Sequence, residues 1–392
     1  MHLIASSAFL LLALPTLLGS VYLLVLALLS GRPRPGPASR RHLRFDIVVP
    51  AHDEAGGIAR TVASLQAIDW PRERFRIVVV ADNCSDATAA IAREAGAHVL
   101  ERHDARLRGK GHALAFAFEA SRRDGLADAV AVVDADTGVS PNLLEAFAAR
   151  LEHGARAVQA HYGVRNPHAS WRTRLMTIAK GAFHIVRSRG RERLGLSCGL
   201  RGNGWCVTRG LLQQVPYRAY SLTEDLEYSI CLGLAGVRVH YADEAHADGD
   251  MEAGGAAATP QRQRWELGRF ALARQYALRL LQAGLHRRSA VCLDLALDLL
   301  VPPLSYLVLS ALALLALAAA GAAWQPAWTF WLAWPAFSLL AIVLYVLRGW
   351  QLSGTGTRGL LDLATAPVFV LWKLLAMLRP RAAGWVRTQR HP

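Results

Sequence analysis

The sequence predicts an α/β domain with a mostly parallel central sheet, attached to transmembrane helices. From residue 45 onward, short β-branched runs alternate with helical patterns, which is typical of βαβ units around a parallel sheet. On both sides of this region lie long apolar runs that contain no charged side chain and are long enough to cross a bilayer. At 392 residues and 53% apolar content, the chain has room for both parts.

The chain begins with a predicted membrane span. Residues 3–29 carry no charged side chain and can cross about 30 Å of hydrocarbon. A signal peptide has a shorter apolar core and a basic start, so residues 1–30 are interpreted as a transmembrane helix. Residues 31–44 are rich in proline and arginine, which indicates a basic linker to a globular domain.

Residues 45–285 form the predicted globular domain, in which strands and helices alternate. A basic amphipathic stretch at residues 171–194 is expected either to lie on the membrane or to cover the active site. Strands are predicted at residues 45–50, 75–81, 98–101, 130–139, 155–162 and 205–208, and helices at residues 57–68, 85–95, 111–122, 142–152 and 226–235.

Residues 286–350 are predicted to form a transmembrane hairpin. Its spans are the uncharged runs at about residues 299–323 and 327–347, which a short Trp-Gln-Pro turn connects. Asp298 is expected at the entrance of the hairpin, since a carboxylate at mid-membrane costs about 2.5 to 3.5 kcal/mol.

A fourth apolar segment, residues 360–378, differs from the spans because it carries Asp362, Pro367 and Lys373. These residues favour an in-plane or re-entrant helix, with a full span as the alternative. Residues 351–392 are therefore predicted to be a membrane-associated helix followed by a basic tail.

Basic residues near the span ends set the predicted orientation. Arginines follow the first span and the sequence His286-Arg287-Arg288 precedes the second, and both clusters mark the cytoplasmic side. The protein is expected to be a multi-pass protein of the cell inner (plasma) membrane with its globular domain in the cytoplasm.

Attraction to anionic headgroups of the lipid bilayer explains the formal charge of +14. No helix-turn-helix, zinc or RNA-binding signature supports a nucleic-acid partner.

The central predicted strand ends in Asp134-Ala135-Asp136. Residues i and i+2 of an extended strand point to the same side, so both carboxylates can face one point. A hard divalent cation takes such oxygen ligands and shares them with substrate phosphates. In an open α/β sheet the ligand crevice lies at the carboxyl ends of the strands, where these aspartates fall. The alternative is a strand that leaves the core through a polar turn.

Acidic residues also end the first two predicted strands, at Asp53-Glu54 and at Asp82. Three acidic strand ends on one sheet edge favour a nucleotide site, because a carboxylate accepts hydrogen bonds from a uracil imide or from ribose hydroxyls. Ser85 or Asp86 is expected to cap the helix that follows.

Lys110 lies between two glycines just before a predicted helix. A cation on such a hinge can reach a phosphate or a ribose. The stretch is not a Walker loop, because the first glycine of that motif is absent. A dinucleotide-binding fold is excluded as well, since no Gly-x-Gly-x-x-Gly follows the first strand.

Two further motifs precede the second span. Thr223-Glu224-Asp225 opens a helix, and a carboxylate at a helix start beside a crevice is a candidate general base, with a plain N-cap as the alternative. Residues 261–265 read Gln-Arg-Gln-Arg-Trp and can bind a diphosphate and stack on a sugar, with a basic surface helix as the alternative.

In this order and spacing, the motifs resemble those of the membrane-embedded family 2 glycosyltransferases of the GT-A group. This family includes cellulose, chitin, hyaluronan and poly-N-acetylglucosamine synthases. The resemblance covers residues 45–285 and the flanking spans. It implies a GT-A fold, the fold of nucleotide-diphospho-sugar transferases, and hexosyltransferase activity.

The resemblance also implies roles for individual residues. Asp134 and Asp136 would hold Mg²⁺ or Mn²⁺ on a UDP-sugar, Asp82 would contact uracil, and Asp225 would be the catalytic base. The expected substrate-binding residues are Glu54, Asp82, Lys110, Asp134, Glu224, Gln261, Arg262, Arg264 and Trp265.

The function expected from this resemblance is inverting, metal-dependent transfer from a UDP-sugar to a saccharide acceptor, building a β-linked extracellular or cell-surface polysaccharide. The larger synthases thread polymer through many helices, whereas only three or four spans are predicted here. Either a homo-oligomer or an export partner then supplies the conduit, or the sugar goes to a polyprenyl-phosphate or lipid-linked acceptor. A third hypothesis is a non-catalytic sugar-nucleotide sensor or scaffold, which predicts the loss of acidic positions.

Overall fold

The structure is a computed structural model that describes residues 2–251 and 255–365, with side chains for residues 6–251 and 266–365. One eight-stranded sheet forms the centre of the globular region. Its strands are β1 (Phe45–Ala51), β2 (Phe75–Asp82), β3 (His98–Arg102), β4 (Ala129–Val132), β5 (Thr137–Val139), β6 (Ala157–Val164), β7 (Trp205–Thr208) and β8 (Val239–Gly249).

The sheet is mixed but mostly parallel, as predicted. The strand order is β3-β2-β1-β4-β7-β6-β8-β5. Strands β1 to β4 run parallel, β7 is antiparallel to its neighbours β4 and β6, and β5 is antiparallel to β8. The carboxyl ends of β1, β2 and β4 therefore meet at one edge of the sheet.

Helices cover both faces of the sheet, because its central strands are apolar on both sides. Ile47 and Val49 of β1 face one core cluster, and Val48 between them faces the other. The helices are α1 (His2–Leu28), α2 (Ile58–Gln66), α3 (Thr88–Glu94), α4 (Lys110–Asp124), α5 (Leu143–Leu151), α6 (Trp171–Lys180), α7 (Arg187–Arg193), α8 (Arg209–Gln214), α9 (Glu224–Leu234), α10 (Gly255–His286), α11 (Ala290–Leu300), α12 (Leu304–Trp324), α13 (Thr329–Leu352) and α14 (Gly356–Leu363).

The central strand is shorter than predicted, so the expectation of one strand over residues 130–139 is wrong. Strand β4 ends at Val132, and the chain then turns, with the Thr137 amide donating to the Asp134 carbonyl at 3.2 Å. The Asp134 amide is taken by the Asn203 side chain at 3.0 Å, which ends the ladder. Both predicted metal-binding aspartates consequently lie on a turn rather than on a strand.

The amphipathic stretch forms α6 and α7, joined by a π-helical turn at Gly181–Val186. It packs against the membrane-side helix α13 at a very close approach. A Cβ on Gly181 would lie 2.7 Å from the Gly349 carbonyl oxygen, and one on Gly349 would lie 2.7 Å from the Ala182 Cβ. The stretch thereby joins the globular region to the apolar helices.

Three described helices are long and apolar enough to cross a membrane: Ser6–Leu28, Leu304–Trp324 and Pro326–Leu352. The second begins five residues later than predicted, because Pro302 and Pro303 separate it from α11. Helix α14, the described part of the fourth apolar segment, pairs Asp362 with Arg174 of α6. The rest of that segment, with Pro367 and Lys373, lies outside the described residues.

A buried group of charges, the arginine–aspartate cluster, lies where α7 and α10 meet α11. Arg187 and Arg191 each place a guanidinium nitrogen 2.8 Å from the Asp298 carboxylate, and Arg191 also lies 2.9 Å from Asp294. Arg269 donates to the backbone carbonyl of Asp298. Asp298 thus lies just before the second span, as predicted. The cluster consists of Arg187, Arg191, Arg269, Asp294 and Asp298.

Replacing Asp298 by Asn should destabilise the protein, because buried guanidinium groups lose their shared carboxylate. Asp298 is only 3% exposed, and breaking such a buried pair costs about 3–5 kcal/mol. Thermal unfolding of the full chain in detergent should therefore start at a lower temperature. Glu119→Gln removes an exposed pair with Arg122 and should leave the midpoint unchanged. Equal midpoints for the two variants would contradict the expectation.

Candidate active site

The sheet brings the predicted acidic strand ends together at one edge. Ala51 pairs with Ala81, so the residues after β1 and the end of β2 are neighbours, and β4 ends beside β1. Asp53, with φ of 54°, accepts a hydrogen bond from the Ser85 amide at 2.6 Å. Glu54 donates its amide to Thr88 at 2.8 Å. These two hydrogen bonds hold the loop after β1 against the segment that follows β2.

Asp82 is buried at this edge and has a partner that the sequence did not reveal. Arg102, at the end of β3, donates to its carboxylate at 2.6 Å, and the Asn83 side chain donates at 3.1 Å. The backbone carbonyl of Asp82 meets His52 Nδ1 at 2.7 Å. Arg102 was not predicted as a partner because the predicted β3 ends at residue 101. The pairing of β2 with β3 places Arg102 opposite Asp82.

Asp86, rather than Ser85, supports the start of α3. Its carboxylate accepts hydrogen bonds from the amide of Thr88 at 3.0 Å and from the hydroxyl of the same residue. Ser85 donates its hydroxyl to Asp53 at 3.1 Å instead. The N-cap residue of α3 is Ala87, so neither Ser85 nor Asp86 is the predicted cap. Asp86 supports the first residue of the helix from one position earlier, and Ser85 belongs to the edge of the site.

Lys110 joins the metal motif to the predicted base. Its ammonium donates to the Asp134 carboxylate and, at 2.5 Å, to the Gly202 carbonyl, and lies 3.9 Å from Glu224. Burial alone would lower the pKa of Lys110, but Asp134 and Glu224 outweigh it and raise that pKa. Residues from three separated stretches of sequence therefore converge on one cation.

Glu224 and Asp225 begin helix α9 with Thr223 at the N-cap position. Burial raises the pKa of Glu224 to about 7, although the Lys110 ammonium opposes this shift. Burial also raises the pKa of Asp225, opposed by the Leu226 amide, Lys110 and Arg201. Among the described residues the Thr223 hydroxyl has no hydrogen-bond partner, so its side chain does not make the predicted cap. Carboxyl groups with raised pKa values suit proton transfer near neutral pH.

The loop before β7 closes over these carboxylates. Gly202 has φ of 85°, and a Cβ at that position would lie 3.4 Å from Asp225 Oδ2. Asn203 donates its side-chain amide to the Thr137 hydroxyl at 2.7 Å, and Gln159 donates to the Asn203 carbonyl at 2.7 Å. Gln159 and Asn203 are therefore positioning residues for this loop that sequence reasoning missed.

Asp134 and Asp136 fit a hard divalent cation. They supply carboxylate oxygens, the donor type that Mg²⁺ and Mn²⁺ prefer. Burial lowers the pKa of the nearby Lys180 to about 8, and the charges of Asp136 and Asp134 oppose that shift. The residues present thus fit the metal implied by the resemblance.

A second group of metal-ligating atoms lies beside this region and was not predicted. His161, His246 and Asp248 place ligand atoms within 4.8 Å of one another. Burial lowers the pKa of His161 to about 3, so its ring is neutral. The group escaped prediction because β8, which carries His246 and Asp248, was not recognised as a strand.

One predicted motif cannot be placed. Gln261, Arg262, Arg264 and Trp265 fall within α10, but their side chains lie outside the described residues.

Comparisons with known proteins point to one family. The sequence profile described as "Glycosyltransferase like family 2" matches residues 43–268. The chain is 24% identical over 209 residues to the probable glycosyltransferase YdaM of Bacillus subtilis, which covers 50% of this chain and 48% of that protein. It is 26% identical over 270 residues to the beta-monoglucosyldiacylglycerol synthase of Synechocystis sp., which covers 65% and 55%. The chain thus spans about half the length of these relatives.

Among solved structures, the fold is similar to the mannosyltransferase PcManGT from Pyrobaculum calidifontis, determined in complex with GDP-Man and Mn²⁺. The TM-score is 0.51 at 19% sequence identity, and the match covers 86% of this chain and 98% of that chain. This likeness concerns the fold alone.

The buried carboxyl group of Glu224 should make stability depend on pH. Burial raises its pKa from 4.5 to about 7, so between these values the folded protein holds a proton that the unfolded chain has released. Stability should therefore fall as pH rises through this window. In Glu224→Gln this loss disappears, so thermal unfolding without metal or donor should increasingly favour the variant from pH 4.5 to 7.

Glu119→Gln is the control for this measurement. Arg122 and Arg123 lower the pKa of the exposed Glu119 carboxyl group to about 2. That variant should follow the wild type between pH 5 and 7. A constant difference between Glu224→Gln and wild type over the window would contradict the buried, proton-holding state of Glu224.

Proposed function

The chain belongs to the glycosyltransferase-like family 2, and we propose that it transfers a sugar from a UDP-sugar to an acceptor at the membrane, with inversion at the anomeric carbon. The expected family, GT-A fold and enzyme class are thereby confirmed, and use of a nucleotide sugar follows from them. The identity of the nucleotide, the acceptor and the stereochemistry are the proposal.

One observation carries the proposal: Lys110 connects Asp134 to the helix start that holds Glu224 and Asp225. A donor diphosphate needs positive charge and a metal-binding carboxylate, and an acceptor hydroxyl needs a base. Lys110 supplies the positive charge, and both the metal-binding Asp134 and the helix start that carries the base lie close to its ammonium group. Glu54 and Asp82 lie on the neighbouring strand ends, where they would receive the uridine.

In the proposed reaction, Asp225 accepts the proton of an acceptor hydroxyl as its oxygen attacks the anomeric carbon. The bond from that carbon to the diphosphate breaks on the opposite side, and UDP leaves with the electron pair. A single displacement inverts the anomeric centre, so an α-linked donor gives a β-linked product. The raised pKa of Asp225 makes this carboxylate a stronger base than an exposed one.

Asp134 and Asp136 would hold Mg²⁺ or Mn²⁺ against the donor diphosphate. Such an ion supplies Lewis-acid stabilisation of the negative charge on the leaving group. Lys110 adds a second positive charge on the same side of the site, since its ammonium contacts Asp134. The substrate-binding roles of Gln261, Arg262, Arg264 and Trp265 remain part of the proposal on the strength of the sequence motif.

The proposed location is the cell inner membrane, with residues 45–285 in the cytoplasm between the first span and the hairpin. Three apolar helices support association with the bilayer, and the flanking arginines support the orientation. A saccharide acceptor and a β-linked polysaccharide product follow from the resemblance to the processive synthases. A homo-oligomer or an export partner would then provide the conduit.

A lipid acceptor is the second candidate, and two observations favour it. The described residues hold three candidate spans, whereas the larger synthases thread polymer through many helices. One relative is named a beta-monoglucosyldiacylglycerol synthase, which makes a glycolipid. In this alternative the sugar is added to a polyprenyl-phosphate or other lipid-linked acceptor.

Replacing Asp225 by Asn should abolish transfer and spare donor binding. The amide cannot accept the acceptor proton, so turnover should fall on the order of 10² to 10⁴-fold. Initial rates of UDP release and UDP binding by calorimetry measure the two effects separately. Glu119→Gln, on the exposed side of α4, serves as the activity control. Normal turnover of Asp225→Asn would place the base elsewhere.

A donor panel identifies substrate and product together. Membranes carrying the full chain are given radiolabelled UDP-sugars, with GDP-mannose for comparison, and either Mn²⁺ or Mg²⁺. We expect one UDP-sugar to be turned over, and Asp136→Ala to lose the metal-dependent rate.

The size of the labelled product then separates the candidates. A polymer supports the polysaccharide synthase, and a short label extracted by organic solvent supports the lipid acceptor. No turnover with any donor would support the non-catalytic sensor or scaffold.

A further inference from the structure

Arg201 is a buried arginine beside the proposed base, and the proposed reaction gives it no role. It precedes Gly202, the residue whose Cβ would lie 3.4 Å from Asp225 Oδ2. Its positive charge also acts on Asp225, lowering the pKa of that carboxyl group against the effect of burial. The Arg201 guanidinium is therefore within electrostatic range of the proposed reaction centre.

The guanidinium lacks a polar partner among the described residues. Arg201 is 7% exposed, and its buried Nε and Nη2 atoms make no hydrogen bond. Its central carbon lies 4.7 Å from the centroid of the Phe183 ring. Buried charges are normally paired, because the loss of hydration is otherwise uncompensated. Burial and the nearby Arg191 accordingly lower the pKa of Arg201.

Positive charge is in excess around Arg201. Arg201 and Arg187 of the arginine–aspartate cluster share the Phe183 ring, with their guanidinium carbons 4.7 and 4.8 Å from its centroid. Arg191 and Arg187 repel Arg201, and Asp298 attracts it. With Arg201 included, four arginines face two aspartates. Even if the proposed base Asp225 is counted, these described arginines outnumber the described aspartates around them by one. An anion at this place would offset the excess charge and pair with the free nitrogens of Arg201.

The cluster also marks the boundary with the apolar helices. Tyr22 of α1 donates its hydroxyl to Asp294 at 2.9 Å, and Arg187 donates to the hydroxyl oxygen of Tyr345 in α13 at 3.0 Å. Both tyrosines belong to candidate membrane spans. An anion at this position is therefore most readily supplied by a molecule embedded in the membrane.

We propose that Arg201 and the arginine–aspartate cluster bind the phosphate group of a lipid acceptor next to Asp225. The unpaired Nε and Nη2 atoms form one edge of the guanidinium fork, the edge that binds two oxygens of a phosphate side by side. A polyprenyl phosphate combines this group with an apolar chain that can lie along the spans. The inference deepens the lipid-acceptor candidate and rests on the proposed transferase function.

The test measures binding, so that it does not depend on turnover. Full-length protein in phosphatidylcholine nanodiscs is titrated with a polyprenyl phosphate, with the matching polyprenol and with inorganic phosphate. We expect the polyprenyl phosphate to bind at least about tenfold more tightly than either of the others. Arg201→Gln should lose that preference, and Arg201→Lys should retain part of it because the charge persists.

Two controls separate anion binding from a structural role. Arg193→Gln, which changes an exposed arginine in the last turn of α7, should bind like wild type. The melting temperature of Arg201→Gln should be unchanged or higher, because the variant removes a buried, repelled charge. Loss of the preference together with a lower melting temperature would assign Arg201 a structural role and overturn the proposal.

The remaining outcomes are equally decisive. Equal binding of polyprenyl phosphate and inorganic phosphate would overturn the lipid source of the anion. Weaker UDP binding in Arg201→Gln would assign the guanidinium to the donor and also overturn the proposal. Wild-type protein that binds no UDP would refute the proposed function itself. Intact UDP binding without preference for polyprenyl phosphate would refute only this inference.

Discussion

The arrangement of the site depends on the contact of Lys110 with Asp134 and Gly202. The three residues come from α4, from the turn after β4 and from the loop before β7, so no single element determines their positions. Without the ammonium group, Asp134 and the carboxyl groups at the start of α9 would repel one another in a partly buried place. Because of the same contact, a divalent ion on Asp134 would share its ligand with an existing cation, which would couple donor binding to the position of Glu224.

Local patterns in the sequence predict the first half of the sheet and most of the acidic edge. Runs such as Phe75–Asp82 are apolar on both faces and end at an acidic residue, so the same residues predict both the strand and the acidic edge of the site. Strand β8 was missed because Val239–Gly249 interleaves histidines and acids with alanine, and only its pairing with β6 makes it a strand. Arg201 and the cluster were missed for a related reason: their contacts join residues far apart in sequence, such as Tyr22 and Asp294. Periodicity carries no information about such pairs.

The junction between the catalytic region and the apolar helices combines two kinds of contact. Charged groups meet in the arginine–aspartate cluster, where Asp298 is shared by two arginines. Backbones meet where Gly181 approaches Gly349, a place with no room for a side chain. Separating a buried ion pair leaves charges without compensation, and close backbone packing tolerates little sliding. The junction is therefore built to hold one relative position.

That fixed position has a consequence for substrate selection. If the apolar helices set the depth of the chain in the bilayer, then α10 and α11, which pack against α9, set the height of Asp225 above the lipid surface. The enzyme would then select acceptors by height: an acceptor would react only if its reactive oxygen projects from the lipid surface as far as Asp225 does. Longer or shorter headgroups would not react.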